Sequence, residues 1–144
     1  MPKINLLFLF VLLAWSSSAL SNEKSPLIGA WRMTKLEVLV DGKLEKVSCS
    51  GQLIITDAGT LSAQAMDSNP NATPTTFTMN GYEALYGDID INDSLNQFEI
   101  TIQSSLVRDL IGRKMKRKFT ISDRKMVLSP VDASEGWRVT YEHY

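Results

Sequence analysis

Short β-like segments recur along this chain, separated by turn residues, and no long helical pattern interrupts them. In residues 97–104, Phe98, Ile100 and Ile102 alternate with polar residues, which predicts one buried face and one face in water. Asp41-Gly42 is a strong signal for a tight hairpin. The pattern predicts an all-β fold, a single up-and-down antiparallel β-barrel of about eight to ten strands, because closure removes unpaired strand edges.

Residues 1–21 have the order of features that is typical of a secretory signal peptide. The charge of Lys3 precedes an apolar run over residues 6–15, and small residues follow at Ala19 and Ser21. We therefore expect cleavage before Asn22, with a cut after Ala19 as the alternative. The apolar run is shorter than the roughly 20 residues that cross a bilayer, so no stable membrane span is expected.

These features predict three parts of the chain: signal peptide 1–21, a short N-terminal tail 22–26 and a lipocalin-like barrel domain 27–144. The protein is expected to be exported through the secretory pathway, to the periplasm or the extracellular space.

Composition disfavours several functional classes. The 15 basic and 16 acidic residues nearly balance, which does not suggest a nucleic acid or an anionic membrane as partner. Cys49 is the only cysteine, so no intrachain disulfide can form and the apolar core must stabilise the fold. His143, the only histidine, lies next to the C-terminal residue, which disfavours histidine-dependent catalysis and a zinc site. No metal or cofactor is predicted.

Residues 67–80 are rich in Asn, Pro and Thr, carry almost no charge and predict a long loop. We expect it to end in a helical turn at residues 82–85, followed by a strand that begins at Tyr86. Tyr82 and Tyr86 would then lie beside the barrel mouth.

Several motifs resemble known barrels. Gly29-Ala30-Trp31 and Arg138 resemble the lipocalin arrangement, in which a G-x-W tryptophan closes one barrel end beneath an arginine from the C-terminal part. Residues 51–64, GQLIITDAGTLSAQ, are similar to the segment G-x-L-x-x-T-x-D-G-x-x-S-A-Q of the microbial lipocalin-like domain family. The resemblance spans residues 27–142 and implies a barrel with a pocket, not a reaction. Histidines that several members carry on the strand matching residues 97–104 are absent here.

Alternation along residues 113–122 places Arg117 on the inner face with Met115 and Phe119, while lysines take the outer face. A buried guanidinium needs an anion, which is either a protein carboxylate or the acidic head group of a ligand. The candidate ligand contacts are Arg117, Met115, Phe119, Tyr82, Tyr86 and Gln64. The candidate structural residues of the barrel end are Gly29, Trp31 and Arg138.

The favoured hypothesis is an exported, non-catalytic barrel that binds a small apolar or amphipathic molecule, including anionic ones. One alternative is an isomerase or cyclase that uses Tyr86, Arg117 and an inward acid. Another is a barrel that binds a second protein through the loop 67–80.

Overall fold

A computed structural model describes residues 23–144, so the predicted signal peptide and its cleavage site lie outside the described residues. The described part of the chain contains nine antiparallel strands: β1 (Gly29–Val40), β2 (Lys43–Val47), β3 (Cys49–Ile55), β4 (Thr60–Asp67), β5 (Tyr82–Asn92), β6 (Gln97–Ser105), β7 (Lys114–Ser122), β8 (Lys125–Pro130) and β9 (Trp137–His143). The helical elements in this range are single 3₁₀ turns at Asp93–Leu95, Arg108–Leu110 and Ala133–Glu135. Over the same residues, no helix is long and apolar enough to span a bilayer.

The sheet closes on itself through β1. Its first residues pair with β3, its middle pairs with β9, and its last residues pair with β2. β1 and β3 to β9 therefore form a closed eight-strand barrel, and β2 extends β1 beyond it. The predicted up-and-down antiparallel barrel is confirmed.

Local patterns explain most of this architecture. Phe98, Ile100 and Ile102 on β6 are each at most 3 % exposed, as their alternation predicts. Asp41 and Gly42 have φ values of 48° and 77°, which the tight hairpin turn between β1 and β2 requires.

The start of β5 differs from the prediction. Residues 82–85 are strand and not a helical turn, because Tyr82 to Leu85 pair with Met66 to Ala63 of β4. Pairing along a whole strand outweighs the preference of Glu, Ala and Leu for helix.

The two barrel ends are built differently. Tight turns at residues 56–59, 93–96 and 123–124 lie at one end, which we call the packed end. Longer connections, at residues 68–81, 106–113 and 131–136, lie at the other end, which we call the mouth.

Trp31 closes the packed end. Its indole N–H donates to the Leu27 carbonyl at 2.9 Å, and its ring meets the His143 ring edge-on at a centroid distance of 4.9 Å. A side chain at Gly29 would collide with His143, since an added Cβ would lie 2.5 Å from Nε2.

Arg138 does not take part in this closure, contrary to the motif-based prediction. The register of β9 places His143 opposite Trp31 and Arg138 opposite Glu37, nearer the mouth. There Arg138 Nε donates to Glu37 Oε2 at 2.9 Å on the outside of the barrel. Burial of Trp31 thus depends on Leu27 and His143 and not on an arginine.

Candidate functional site

A cavity of about 600 Å³ occupies the half of the barrel toward the mouth. Ala63 and Ala65, two small inward residues of β4, leave this space open, and the larger Phe98, Ile100 and Val139 line it from other strands. At the packed end, Leu27, Trp31, Ile55 and Met126 are all at most 2 % exposed, and none of the four lines this cavity. The sizes of the inward side chains therefore determine which end of the barrel contains the cavity.

The loop 68–81 forms one part of the cavity roof, with Thr76 and Phe77 in its lining. Short-range hydrogen bonds hold the loop in shape: Asp67 Oδ1 accepts from the Asn69 N–H at 2.8 Å, and Thr75 Oγ1 accepts from the Phe77 N–H at 3.1 Å. Such side-chain-to-backbone bonds are why Asp, Asn and Thr are frequent in ordered loops.

Arg117 lies inside the barrel, only 5 % exposed, as the alternation of β7 predicts. Its Nη1 donates to Glu135 Oε1 at 2.9 Å and to the Lys116 carbonyl at 3.0 Å. The guanidinium also lies over the Trp137 ring, 5.0 Å from the centroid. A protein carboxylate, supplied by the connection between β8 and β9, is thus the anion that meets Arg117.

Glu83 on β5 faces the same cavity. Within residues 23–144 its carboxyl group has no ion pair. The Glu83 side chain borders the cavity and is therefore only half-buried. The surrounding protein nevertheless separates its carboxyl group from most of the bulk water. This burial raises the pKa of Glu83 to about 7, against the opposing effect of the Arg117 charge. Glu83 therefore changes charge near neutral pH.

Tyr141 on β9 lines the cavity from another side and is 5 % exposed. Burial raises its pKa, and the negative charge of Glu83 adds to that effect, so the hydroxyl group stays protonated. Cys49 on β3 also lines the cavity, and burial raises the pKa of its thiol. A raised pKa makes Cys49 a poor nucleophile.

The structure brings only part of the predicted ligand set together. Arg117 and Met115 line the cavity. Phe119 points inward but lies below the cavity, stacked on Phe98 at a centroid distance of 6.5 Å.

Tyr82, Tyr86 and Gln64 lie outside the cavity wall, which corrects their predicted role as ligand contacts. On β5 the inward positions are Glu83 and Leu85, so both tyrosines point outward, and Tyr86 is 49 % exposed. Gln64 is on the outer face of β4, where its side chain accepts a hydrogen bond from Gln52 at 3.3 Å.

Glu83, Tyr141, Glu135 and Trp137 are cavity residues that the sequence analysis did not single out. The alternation of Glu83, Leu85 and Gly87 indicates an inward strand face that includes Glu83. The sequence analysis did not use it, because a helical turn was expected at residues 82–85. Tyr141 shares strand parity with Val139, which also indicates an inward position. Glu135 gave no signal, because it lies in a connection.

No protein-family model matches this sequence, and no curated protein does, so the resemblance to the lipocalin-like family stays a prediction. An uncharacterized protein from Bacteroides eggerthii is similar in structure, with 21% identity and a TM-score of 0.48 over 81% of this chain and 98% of that chain. Two point mutants of the fluorescent protein UnaG are 10% and 11% identical, with TM-scores of 0.42 and 0.40. Those matches cover 82% and 81% of this chain and 96% and 95% of the UnaG chains.

Proposed function

We propose that this protein binds a small apolar or amphipathic molecule inside its barrel and does not act on it chemically. The observation that carries the proposal is the cavity of about 600 Å³, whose mainly apolar wall includes an acid and a hydroxyl group, Glu83 and Tyr141. Cavities of roughly 300–1,000 Å³ with few polar groups are typical of small-molecule sites.

Energetics favour an occupant over empty space. A ligand group that forms a hydrogen bond with Glu83 or Tyr141 would contribute about 0.5–1.5 kcal/mol net. The apolar wall contributes by removing the ligand's hydrocarbon surface from water, at about 25 cal/mol per Å².

A cavity-filling substitution tests this proposal. Ala65→Leu places a larger side chain in the cavity, so we expect it to abolish ligand retention in native mass spectrometry of protein purified from its natural source. Gln64→Leu is the matched control, since Gln64 neighbours Ala65 but lies on the outer face and is exposed. The control should retain the ligand. An empty wild-type protein that shows no thermal shift with fatty acids, isoprenoids or aromatic acids would contradict the proposal.

A second candidate function is proton-transfer catalysis of the isomerase or cyclase type. Glu83 favours it, because a buried carboxyl group with a pKa of about 7 suits a general acid or base at neutral pH. The hydroxyl group that accompanies Glu83 in the cavity would be that of Tyr141, and not that of Tyr86, which the sequence had suggested. Glu83→Gln should then abolish turnover of a bound compound while leaving its binding intact, whereas a compound recovered unchanged from wild-type protein supports binding alone.

We also propose that the chain is exported and cleaved before Asn22. The basis is the order of charge, apolar run and small residues in residues 1–21. N-terminal sequencing of protein from the periplasmic or extracellular fraction should begin at Asn22, or at Leu20 for the alternative site. Recovery of Met1 from a membrane fraction would refute cleavage.

A further inference from the structure

Charges inside the cavity are not balanced. Arg117 is the one guanidinium among the lining residues within 23–144, and Glu135 already neutralises it at 2.9 Å. Asp67, a second lining acid, accepts the Asn69 N–H at 2.8 Å. Asp67 and Glu83 both lack an ion pair within residues 23–144, but Asp67 accepts this hydrogen bond from the loop, so Glu83 is the lining acid that neither an ion pair nor a loop hydrogen bond stabilises.

The carboxyl group of Glu83 and the hydroxyl group of Tyr141 border the same space from different strands. Tyr141 is 5 % exposed, and its hydroxyl group lies close enough to Glu83 for the Glu83 charge to raise its pKa further, in addition to the effect of burial. Two polar groups that face one cavity can bind one ligand group together, the carboxylate as acceptor and the hydroxyl oxygen as a second acceptor.

We propose that Glu83 and Tyr141 select a ligand that carries a protonated amine on an apolar body. This inference rests on the proposed binding function and names the class of ligand. An ammonium group donates up to three hydrogen bonds and neutralises the Glu83 carboxylate, and the rest of the molecule packs against the apolar wall. A carboxylic acid would add a further negative charge beside Glu83, and an alcohol would leave the Glu83 charge uncompensated.

The same arrangement makes binding depend on pH. The ionisable groups that surround Glu83 in the cavity are Arg117 from β7, Tyr141 from β9, Cys49 from β3, Asp67 from β4 and Glu135 from the β8–β9 connection. Tyr141 and Cys49 stay protonated at neutral pH because burial raises the pKa of both. Glu83 is the group that gains charge as the pH rises through about 7, and the amine should then bind more tightly.

Three probes of equal chain length test this selection: decylamine, decanol and decanoate, titrated below their aggregation concentrations and followed by calorimetry. At pH 8 we expect the wild-type protein to bind decylamine about tenfold more tightly than decanol, as a charge-assisted hydrogen bond implies, and decanoate most weakly. Glu83→Gln should remove the preference for the amine and change decanol affinity by less than about threefold. Glu99→Gln is the control, because Glu99 lies on the barrel surface in an ion pair with Lys114.

A pH series on wild-type protein supplies a second readout that does not depend on the variant's folding. Decylamine affinity should rise about tenfold between pH 6 and pH 8, following ionisation of Glu83, and decanol affinity should stay constant. A flat decylamine profile, equal affinity for all three probes, or tightest binding of decanoate would overturn the inference and leave ligand binding standing. Failure of all three probes to bind, together with an empty wild-type protein in native mass spectrometry, would overturn the proposed function itself.

Discussion

The packed end and the mouth of this barrel share the same strands but differ in what fills the space between them. At the packed end, Trp31, Leu27 and Met126 are almost fully buried, and tight turns join the strands. At the mouth, Ala63 and Ala65 leave a cavity, and longer connections cover it. Apolar packing at the packed end stabilises the fold. The mouth can therefore contain charged groups that border a cavity.

The denser burial of apolar side chains at the packed end predicts that stability is concentrated there. Trp31→Ala should lower the free energy of unfolding by about 3–5 kcal/mol, because it opens a large cavity among fully buried side chains. Trp137→Ala, the same substitution at the mouth, should cost about 1–2 kcal/mol, since Trp137 is only half-buried and borders existing space. Urea denaturation measures both variants, and equal losses would contradict the proposed difference between the ends.

The sequence predicted the strand pattern better than it predicted the partners of individual side chains at either end. Alternation identifies Phe98, Ile100 and Arg117 as inward because it needs only the local period of a strand. The partner of Arg117 could not be predicted, because Glu135 comes from a connection whose path depends on tertiary structure. The barrel-end partner of Trp31 was wrong for a similar reason: only the register of β9 decides that His143, and not Arg138, lies opposite Trp31.

Glu83 should make the mouth less stable as the pH rises. Its folded-state pKa of about 7 lies above the ordinary value of 4.5, so the folded protein binds a proton that the unfolded chain releases between these values. The wild-type protein should therefore lose up to about 3 kcal/mol of stability between pH 4.5 and pH 7 through this group. Glu83→Gln should remove that loss and be more stable than wild type at pH 8. If the free energy of unfolding changes with pH in the same way for both proteins, the pKa of Glu83 is not raised in the folded state.

Arg117→Met tests how much the mouth depends on its internal ion pair. The substitution keeps the approximate side-chain length and removes the charge that pairs with Glu135. We expect a loss of about 2 kcal/mol, less than the roughly 3–5 kcal/mol for breaking a fully buried pair, because the Glu135 side chain is 28 % exposed and can turn toward water. The pKa of Glu83 should also rise further, since Arg117 opposes the effect of burial. Thermal unfolding and a titration followed by NMR measure the two effects, and an unchanged Glu83 titration would contradict the link between these groups.

Glu37 should give the smallest effect and the opposite pH dependence. It lies on the outer side of β1 near the mouth, covered by Lys35 and Arg138, with ion-pair distances of 2.7 Å and 2.9 Å. Hydrogen bonds from Arg138 and then Lys35 lower the pKa of Glu37 to about 2, below its ordinary value of 4.5. Its contribution to stability is therefore complete above pH 4.5 and is lost as the pH falls toward 2. Both cations are substantially exposed, so solvent screens the ion pairs and the loss should be small. Amide exchange, expressed as protection relative to the intrinsic rate at each pH, should show protection falling at residues 36–40, where β1 pairs with β2, before it falls around Trp31 as the pH is lowered to 3. Glu37→Gln should show the lower protection at residues 36–40 already at pH 6, whereas a simultaneous fall at both ends would mean that the barrel opens as one unit.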